Sequence, residues 1–419
     1  MPPHPAPPAP CAPGRASPSR TERSSMSPQL TSRSTDLQKL RDEGYEVSVI
    51  GGHLVVGHIP YVTAERQVAY GSLVSTLNIQ DDVTTTPDTH VAYFAGETPC
   101  TAAGAPLDAL INSAYATELA PGVHVDFMFS HKPMPSGQYP DYRAKIVTYA
   151  AILMQQAHLI DPTVTAQTFA PVTDEDDTSV FTYLDTASTR AGIAAISAKL
   201  AIGPVGIVGL GGTGAYILDL LAKTPITELH LFDGDTFQQY NAFRAPGAAT
   251  LEQLRTSPYK VHYLAAQYAP MRSGIIAHPV HVDAGNLDVL TGLQFVFLAI
   301  DDGPAKEVVI AFLEAAGIAF IDVGMGIYDN GGALGGLVRT TLSRNDPASR
   351  AAARSRISFG DNTDNAYTQN IQIADLNALN AALAVIRFKK TLGFYLDFDP
   401  TDAATYMIDS NVIANEDPE

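Results

Sequence analysis

The chain has 419 residues, of which 46% are hydrophobic and 17% charged, so it is long enough for two globular domains. Its formal net charge of −18 disfavours nucleic-acid and membrane binding, because such a protein repels phosphate groups. The two cysteines, Cys11 and Cys100, are too few for a disulfide framework or a four-cysteine zinc site. This cysteine usage, and the lack of an apolar run of about 18 residues, predict a cytoplasmic protein.

The first segment, residues 1–34, is rich in Pro, Ser, Ala and Arg and has no apolar periodicity. Such a composition buries too little surface to offset the entropy of the chain, so a disordered tail is expected. The segment also lacks the apolar stretch of a secretory signal peptide. Met26 is an alternative start, and the sequence does not decide between the two.

Residues 35–185 predict a first domain of mixed α+β class. A short helix should begin near Asp36 and strands should follow at HLVVGHI, HVAYFAGETP and HVDFMFS, the first of them ended by Pro60. Behind a proline-rich loop, Asp141 to Ala157 reads as an amphipathic helix. An acidic, turn-prone cluster in residues 171–184 marks the expected boundary.

Residues 186–419 predict an α/β domain with a mostly parallel sheet. An alanine-rich helix is expected over 190–200, and a helix over 304–316. Buried strands are expected at PVGIVGL, ELHLFD, FVFLAID and AFIDVGMGI, with an outer strand at GGLVRTTLS. The polar residues 344–365 predict a long loop within a crossover segment near 341–365.

A closing helix is expected at IADLNALNAALAVIRFKK. Apolar residues recur there at roughly helical spacing, which predicts core packing or a dimer seam. These residues are Ile371, Leu376, Leu379, Leu383 and Ile386.

A glycine-rich turn is the strongest motif of the chain. Gly209, Gly211 and Gly214 form the pattern G-x-G-x-x-G, with Gly212 between them. The turn follows a predicted strand and opens a predicted helix, which is the context in which this motif binds nucleotides. Glycine lets the backbone approach phosphate, and the helix N-terminus offers N–H groups to it. Asp233 ends the next strand, where a carboxylate can take ribose hydroxyls.

The polar residues that follow indicate what the nucleotide is used for. Asp235, Asn241 and Arg244 come within one short segment, and Lys260 lies further on. Adenylation of a carboxylate has to hold a triphosphate and stabilise the charge of the departing pyrophosphate. Arginine supplies a permanently charged fork for phosphate oxygens, asparagine an amide donor and lysine a point charge. The pattern therefore favours adenylation by ATP over hydride transfer with NAD.

The sequence contains two candidate metal sites, one in each predicted domain. Asp301, at the end of the strand FVFLAID, is a carboxylate that suits Mg²⁺. In the first domain His90, His124 and His131 would form a site only if three ligands converge; surface polarity or partner binding is the alternative.

These residues and spacings resemble the ThiF/MoeB superfamily, whose nucleotide-binding fold is shared by ubiquitin-activating enzymes. The resemblance covers residues 195–340. The positions that match the family's motifs are the glycine turn 209–214, then Asp233, Asp235, Asn241, Arg244, Lys260 and Asp301. Residues 36–160 resemble the uncharacterised module that precedes ThiF-type domains in bacterial ubiquitin-like operons, in stretches such as GYEVSVIGGHLVVGHIPYV.

The resemblance implies a reaction and a set of partners. ATP and the C-terminal glycine of a ubiquitin-like protein, or of a sulfur-carrier relative, would form an acyl-adenylate in a homodimer. By the same resemblance, Arg244 would brace the phosphates, Lys260 would assist the leaving charge and Asp301 would position Mg²⁺. A conjugating-enzyme-like partner would receive the acyl group.

Several positions depart from the family. Ala245 stands where a glutamine is frequent, Asp302 replaces an asparagine, and no cysteine follows Cys100 to form a thioester. Three routes stay open: direct transfer to a partner's nucleophile, modification of a peptide or small amine, or an oxyester on a hydroxyl of the crossover segment. The hydroxyl candidates are Thr341, Ser343, Ser349, Ser355, Ser358 and Thr363.

Two other functions remain possible from the sequence. An NAD-dependent oxidoreductase would bind its cofactor without magnesium and would tolerate the loss of Arg244. A non-catalytic member of the family, kept as a scaffold subunit, would fold but would not exchange pyrophosphate into ATP. A scaffold has no need to retain Asp233, Asn241, Arg244 and Asp301 together, which argues against it.

Overall fold

The computed structural model describes residues 34–80, 83–171, 179–359 and 371–416. The chain divides after Ala170 into two compact units, each with a sheet of its own. The predicted tail, apart from Ser34, lies outside the described residues. Across the parts of the chain that are described, none of the helices has the length and apolar character needed to cross a membrane.

The first unit is an antiparallel sheet of six strands in the order β1-β2-β3-β6-β8-β7, with β4 and β5 paired separately. The strands are β1 (Glu46–Ile50), β2 (His53–Val62), β3 (Val68–Thr76), β4 (Ile79–Gln80), β5 (Val83–Thr84), β6 (Val91–Ala95), β7 (Ile111–Ala120) and β8 (Val123–Ser130). The helices are α1 (Thr35–Asp42) and α2 (Tyr142–Ala157). The predicted α+β class is confirmed.

Helix α2 begins where the sequence predicts, because Asp141 caps it: its side chain accepts a hydrogen bond from the Ala144 N–H at 2.7 Å. Its buried face carries Ile146, Tyr149 and Leu153 into the core of the first unit. The helix thereby covers one face of the antiparallel sheet, which needs an apolar layer against it.

Strand β2 continues through Pro60 to Val62, so the prediction that Pro60 ends the strand was wrong. The register between β2 and β3 shifts between Val56 and Ile59, and after the shift Pro60 pairs with Tyr70. Proline has no N–H for the ladder, and an irregularity of this kind is where a strand accommodates one.

The second unit contains an eight-stranded sheet in the order β11-β10-β9-β12-β13-β14-β15-β16. The strands β11, β10, β9, β12 and β13 are parallel, and the last three are added antiparallel. Their bounds are β9 (Val205–Val208), β10 (Leu229–Phe232), β11 (Ile275–His278), β12 (Phe295–Leu298), β13 (Ala319–Asp329), β14 (Leu334–Ser343), β15 (Ala403–Met407) and β16 (Val412–Glu416).

Helices lie on both faces of this sheet, as expected for a doubly wound fold. The α-helices are α3 (Thr186–Arg190), α4 (Ala194–Ser197), α5 (Gly212–Ala222), α6 (Gln239–Ala242), α7 (Leu251–Thr256), α8 (Lys260–Tyr268), α9 (Gly303–Ala316), α10 (Pro347–Arg356) and α11 (Ala374–Thr391). Residues of α5, α8 and α11 share one core with the sheet, and residues of α9 and α10 share a second. The predicted Rossmann-like architecture is confirmed.

Three local predictions differ from the structure. The helix expected over 190–200 is interrupted, because Gly192 adopts a φ of +69° between α3 and α4. Residues 347–356, expected to be part of a loop, form α10, which Asp346 caps by accepting from the Ser349 N–H at 2.9 Å. β11, and the C-terminal hairpin of β15 and β16, were not predicted at all.

The closing helix α11 exists, but it buries a different face from the predicted apolar stripe. Leu376, Leu379 and Leu383 are half-buried and Ile386 is 43% exposed. The buried side chains are Asn377, Asn380, Ala381, Ala384, Val385 and Phe388. The predicted core-packing role of the stripe was therefore wrong for most of its length.

Candidate nucleotide-binding site

The glycine turn connects β9 to α5. Gly209 has a φ of +89°, and a Cβ there would lie 2.4 Å from the carbonyl oxygen of Ala299. A Cβ on Gly214 would lie 1.9 Å from the carbonyl oxygen of Gly209. These two glycines are therefore required by the close packing of turn, helix and neighbouring strand, whatever ligand is bound.

The two central glycines differ from each other. A Cβ on Gly212 would lie 2.0 Å from Nδ2 of Asn377, whereas a Cβ on Gly211 would meet only Oε1 of Gln372 at 3.9 Å. Gly211 is also the N-cap of α5 and provides no side chain to bond the first N–H groups of the helix. Those N–H groups and the positive end of the helix are suited to an anion.

Asp233 and Asp235 anchor the turn after β10. The Oδ2 of Asp233 accepts a hydrogen bond from the Leu210 N–H at 2.7 Å, and its Oδ1 accepts one from the Asp235 N–H at 2.9 Å. Each carboxylate oxygen can accept a second bond, so Asp233 remains able to bind ribose hydroxyls. The same residue fixes the glycine turn, which the sequence alone does not reveal.

Lys260, the first residue of α8, is buried against both carboxylates. Its Nζ lies 2.6 Å from Oδ2 of Asp235 and 3.4 Å from Oδ2 of Asp233. The hydrogen bond from Lys260 lowers the pKa of the Asp235 carboxyl, with smaller effects from His281 and Arg244. The lysine is thus held at the cleft by residues that the sequence places 27 and 25 positions earlier.

Arg244 follows α6 and lies beside Tyr240, with its guanidinium carbon 4.9 Å from the centre of the ring. Its Nε is buried and lacks a hydrogen-bond partner among the described residues. Asn241 is 2% exposed, and its Oδ1 accepts from the Gln238 N–H at 2.9 Å. The Nδ2 of Asn241 is buried without a partner among the same residues, and Asn241 does not line the cleft.

The two aspartates after β12 have different environments. Asp302 caps α9, because its Oδ1 accepts a hydrogen bond from the Ala305 N–H at 3.0 Å. Asp301 is exposed at the mouth of the cleft. Within the described residues, no cluster of three or more His, Cys, Asp or Glu could hold a metal ion. One carboxylate is nevertheless enough for Mg²⁺ that is carried mainly by phosphates and water.

A cleft of about 850 Å³ brings most of the predicted residues together. Those that line it are Gly209, Gly211, Gly212, Asp233, Asp235, Arg244, Lys260 and Asp301. Gly214 and Asn241 lie outside its lining.

The sequence reasoning missed a buried charge cluster at the same cleft. Asp322 of β13 is fully buried; its Oδ1 lies 2.9 Å from Nζ of Lys306 and its Oδ2 lies 3.2 Å from Nη2 of Arg339. Lys306 and Arg339 line the cleft. The signal was the acidic residue inside the apolar run AFIDVGMGI, since a carboxylate in a buried strand has to be paired.

The hydroxyl candidates are separated by the structure. Thr341 and Ser343 are buried in β14, and Ser349 donates to Oδ2 of Asp402 at 2.7 Å. Ser355 donates to a backbone carbonyl one turn earlier in α10, and Thr363 lies outside the described residues. Of the candidates that are described, only Ser358 lines the cleft.

In the first unit, neither the cysteine nor the histidines form a reactive cluster within the described residues. Cys100 is fully buried, and burial raises the pKa of its thiol. His90 pairs with Oγ of Ser130 at 3.1 Å, and His131 pairs with the hydroxyl of Tyr139 at 3.0 Å. His90 and His131 therefore each have a hydroxyl partner within their own unit, which favours the alternative to a metal site.

Solved structures of other proteins are similar to part of this chain. The crystal structure of E. coli MccB is similar over 56% of this chain and 67% of its own, with 16% identity and a TM-score of 0.41. E. coli TcdA, a tRNA N6-threonylcarbamoyladenosine dehydratase, is similar over 49% and 92%, with 19% identity and a TM-score of 0.36. No curated protein sequence matches the chain.

Two family descriptions match the sequence. Residues 35–186 match a domain of unknown function, DUF6791, and residues 190–415 match the ThiF family. The second match extends well beyond the residues in which the sequence resemblance was found, and it confirms that resemblance. Because it spans more than half of the chain, this protein belongs to the ThiF family and is an ATP-using enzyme of the adenylyltransferase type.

Proposed function

We propose that this chain uses ATP and Mg²⁺ to adenylate the C-terminal carboxylate of a ubiquitin-like protein. One observation carries the proposal: a single cleft combines the glycine turn with two cations, Arg244 and Lys260, and the carboxylate of Asp301. NAD, the cofactor of the rival function, has a diphosphate and no third phosphate, so it needs no such set of charges. The triphosphate of ATP does need it.

In the proposed reaction, a carboxylate oxygen of the substrate attacks the α-phosphorus of ATP. A C–O–P bond forms, the Pα–O–Pβ bond breaks, and pyrophosphate leaves with the electron pair. Arg244 offers a fixed fork of donors to the phosphates, and Lys260 offers a charge that Asp233 and Asp235 hold in place. Together they lower the energy of the negative charge that develops on the leaving group.

We assign the magnesium site to Asp301. Bound Mg²⁺ would neutralise phosphate charge and polarise the α-phosphate. Asp302 is not assigned to the metal, because its carboxylate already caps α9.

Two routes are proposed for the acyl group after adenylation. A direct transfer to a conjugating-enzyme-like partner, or an oxyester on Ser358, fits a chain that has no cysteine after Cys100. Ser358→Ala should remove a hydroxylamine-labile adduct if the oxyester forms, whereas an adduct lost with Cys100→Ala contradicts both routes. A homodimer is proposed from the same resemblance, with the half-exposed leucines of α11 as the candidate seam.

Isotope exchange between pyrophosphate and ATP tests the reaction class, with candidate ubiquitin-like proteins as substrates. We expect exchange with the wild type, none with Asp301→Ala, and a loss of about 10–100-fold in kcat/KM with Arg244→Ala. Asp302→Ala is the matched control. It should keep the exchange and lose only about 1 kcal/mol of stability, because it removes a helix cap.

The two rival functions give different results in the same assay. An oxidoreductase would bind NAD without Mg²⁺, would show no exchange and would be indifferent to Arg244→Ala. A scaffold subunit would be folded and would show no exchange with any of the candidate proteins. Either result contradicts the proposed reaction.

A further inference from the structure

Helix α11 turns two asparagines toward the interior of the second unit. Asn377 is 0% exposed and Asn380 is 1% exposed, although both belong to a residue type that is normally at the surface. Residues three positions apart lie on the same face of a helix, and both side chains line the cleft. A buried amide has to be satisfied by hydrogen bonds, so the contacts of each one indicate its role.

Asn377 belongs to the nucleotide end of the cleft. Its Oδ1 accepts from Oγ1 of Thr213 at 3.0 Å, and its Nδ2 donates to the carbonyl oxygen of Arg244 at 3.3 Å. Gly212 leaves the space that this amide occupies. One side chain thus joins the start of α5 to the segment that carries the phosphate-binding arginine.

Asn380 contacts the part of the cleft that β13 forms and is only half satisfied. Its Nδ2 donates to the carbonyl oxygen of Gly324 in β13 at 3.0 Å, which fixes the orientation of the amide. Its Oδ1 is buried and has no hydrogen-bond partner among the described residues. A buried acceptor without a donor is unfavourable, and such an atom at a cleft is explained when a ligand brings the donor.

The part of β13 next to Asn380 borders the cleft. β13 pairs with β12 only as far as Asp322, which lies opposite Leu298. Its pairing with β14 continues to Asp329. Residues 323–327 line the cleft, and Gly324 and Gly326 have no side chains to fill it. If the nucleotide occupies the glycine turn, this wall is left for the acyl substrate.

We propose that Asn380 is a specificity-determining residue for the acyl substrate, and that its Oδ1 accepts the N–H of the last peptide group before the reacting carboxylate. The inference rests on the proposed adenylation and extends it. The substrate class is then a peptide chain whose last residue carries an N–H, which disfavours C-terminal proline, N-methylated residues and simple carboxylic acids.

The test uses stable mimics of the acyl-adenylate and isothermal titration calorimetry on the full chain. The three probes are 5′-O-sulfamoyladenosine, its N-acetylglycyl derivative and its N-acetylsarcosyl derivative. The last two differ in one N–H, which a methyl group replaces in sarcosine. We expect the wild type to bind the glycyl compound about tenfold more tightly than the sarcosyl compound, as one hydrogen bond to a buried acceptor predicts.

The variants assign that difference to a residue. It should vanish in Asn380→Ala and persist in Asn380→Asp, which keeps an acceptor oxygen. It should also persist in Asn377→Ala, which weakens all three compounds together. Retained binding of 5′-O-sulfamoyladenosine shows that Asn380→Ala is folded.

Two results overturn the inference: equal affinities for the glycyl and sarcosyl compounds in the wild type, or a difference that survives in Asn380→Ala. The first is expected if an ordered water satisfies Oδ1. A failure of the wild type to bind 5′-O-sulfamoyladenosine at all is a different result, because it contradicts the proposed function itself.

Discussion

The substitution Gly212→Ala tests why the glycine turn contains four glycines. In a nucleotide-binding motif each glycine is usually assigned to phosphate approach or to a tight turn. Here a Cβ on Gly212 would lie 2.0 Å from Nδ2 of Asn377, and that asparagine is fully buried. The methyl group therefore has to displace an amide that holds Thr213 and the carbonyl oxygen of Arg244.

The expected size of the effect follows from what the methyl group displaces. The two hydrogen bonds of Asn377 contribute about 1 kcal/mol each. Overpacking a rigid interior adds about 1–3 kcal/mol. Gly212→Ala should therefore lower the free energy of unfolding by about 3–5 kcal/mol, as measured by urea unfolding followed by far-UV circular dichroism.

A double-mutant cycle separates this mechanism from a general intolerance of the turn. Asn377→Ala removes the obstacle, so Gly212→Ala should add little in the Asn377→Ala background. The expected coupling energy is then nearly the whole cost of Gly212→Ala, about 3–5 kcal/mol. Additive losses would refute the reasoning, because they would mean that Gly212 does not act through Asn377.

Gly211→Ala is the matched control. Its Cβ would find its nearest neighbour at 3.9 Å, and Gly211 has an ordinary φ of −69°. Its stability should fall by no more than about 1 kcal/mol, because alanine is a poorer N-cap than glycine but would meet no close neighbour here. Its affinity for ATP, measured by calorimetry, should nevertheless fall, since the methyl group would enter the cleft. A large loss of stability in this variant would contradict the assignment of the two glycines.

Two further predictions concern buried charges. Burial lowers the pKa of the Lys145 ammonium from 10.5 to about 8; the folded state therefore loses its proton first, and stability should rise between these pH values. Compared with Lys145→Met in urea unfolding, the wild type should gain up to about 3 kcal/mol over that interval, and a constant difference would contradict a buried, titrating lysine. Asp322→Ala should lower the free energy of unfolding by about 3–5 kcal/mol, because it leaves Lys306 and Arg339 facing each other without their carboxylate. An unchanged urea midpoint would show that solvent already screens those two cations.

The sequence by itself predicted five of the eight strands of the second sheet and most of the residues of the proposed nucleotide site. Alternating buried strands and helices, with a glycine turn after the first strand, are local patterns that chain neighbours specify. Asp233, Asp235 and Asp301 could be selected because they follow strands whose carboxyl ends meet at one edge of the sheet. Arg244 and Lys260 could be selected from the charge of a triphosphate and from the family resemblance.

Only the tertiary structure decided which face of α11 is buried. The leucine spacing predicted core packing or a dimer seam, and the core-packing alternative was wrong, because periodicity records apolar residues and not the groups that a helix is packed against. The buried face carries Asn377 and Asn380, and the hydrogen bonds that each one forms reach atoms 56 to 164 positions away in the chain. Contacts at such separations leave no local signal.

The same reason explains why the sequence did not predict the charge cluster or the difference between Gly211 and Gly212. The charge cluster comes from a helix and two strands, which carry Lys306, Asp322 and Arg339. Only the packing of those elements brings the two cations within ion-pair distance of the carboxylate. Gly211 and Gly212 are adjacent and chemically identical, so no property of the sequence separates them. The side chain that lies against one and not the other belongs to α11, and its position is set by the folding of the whole second unit.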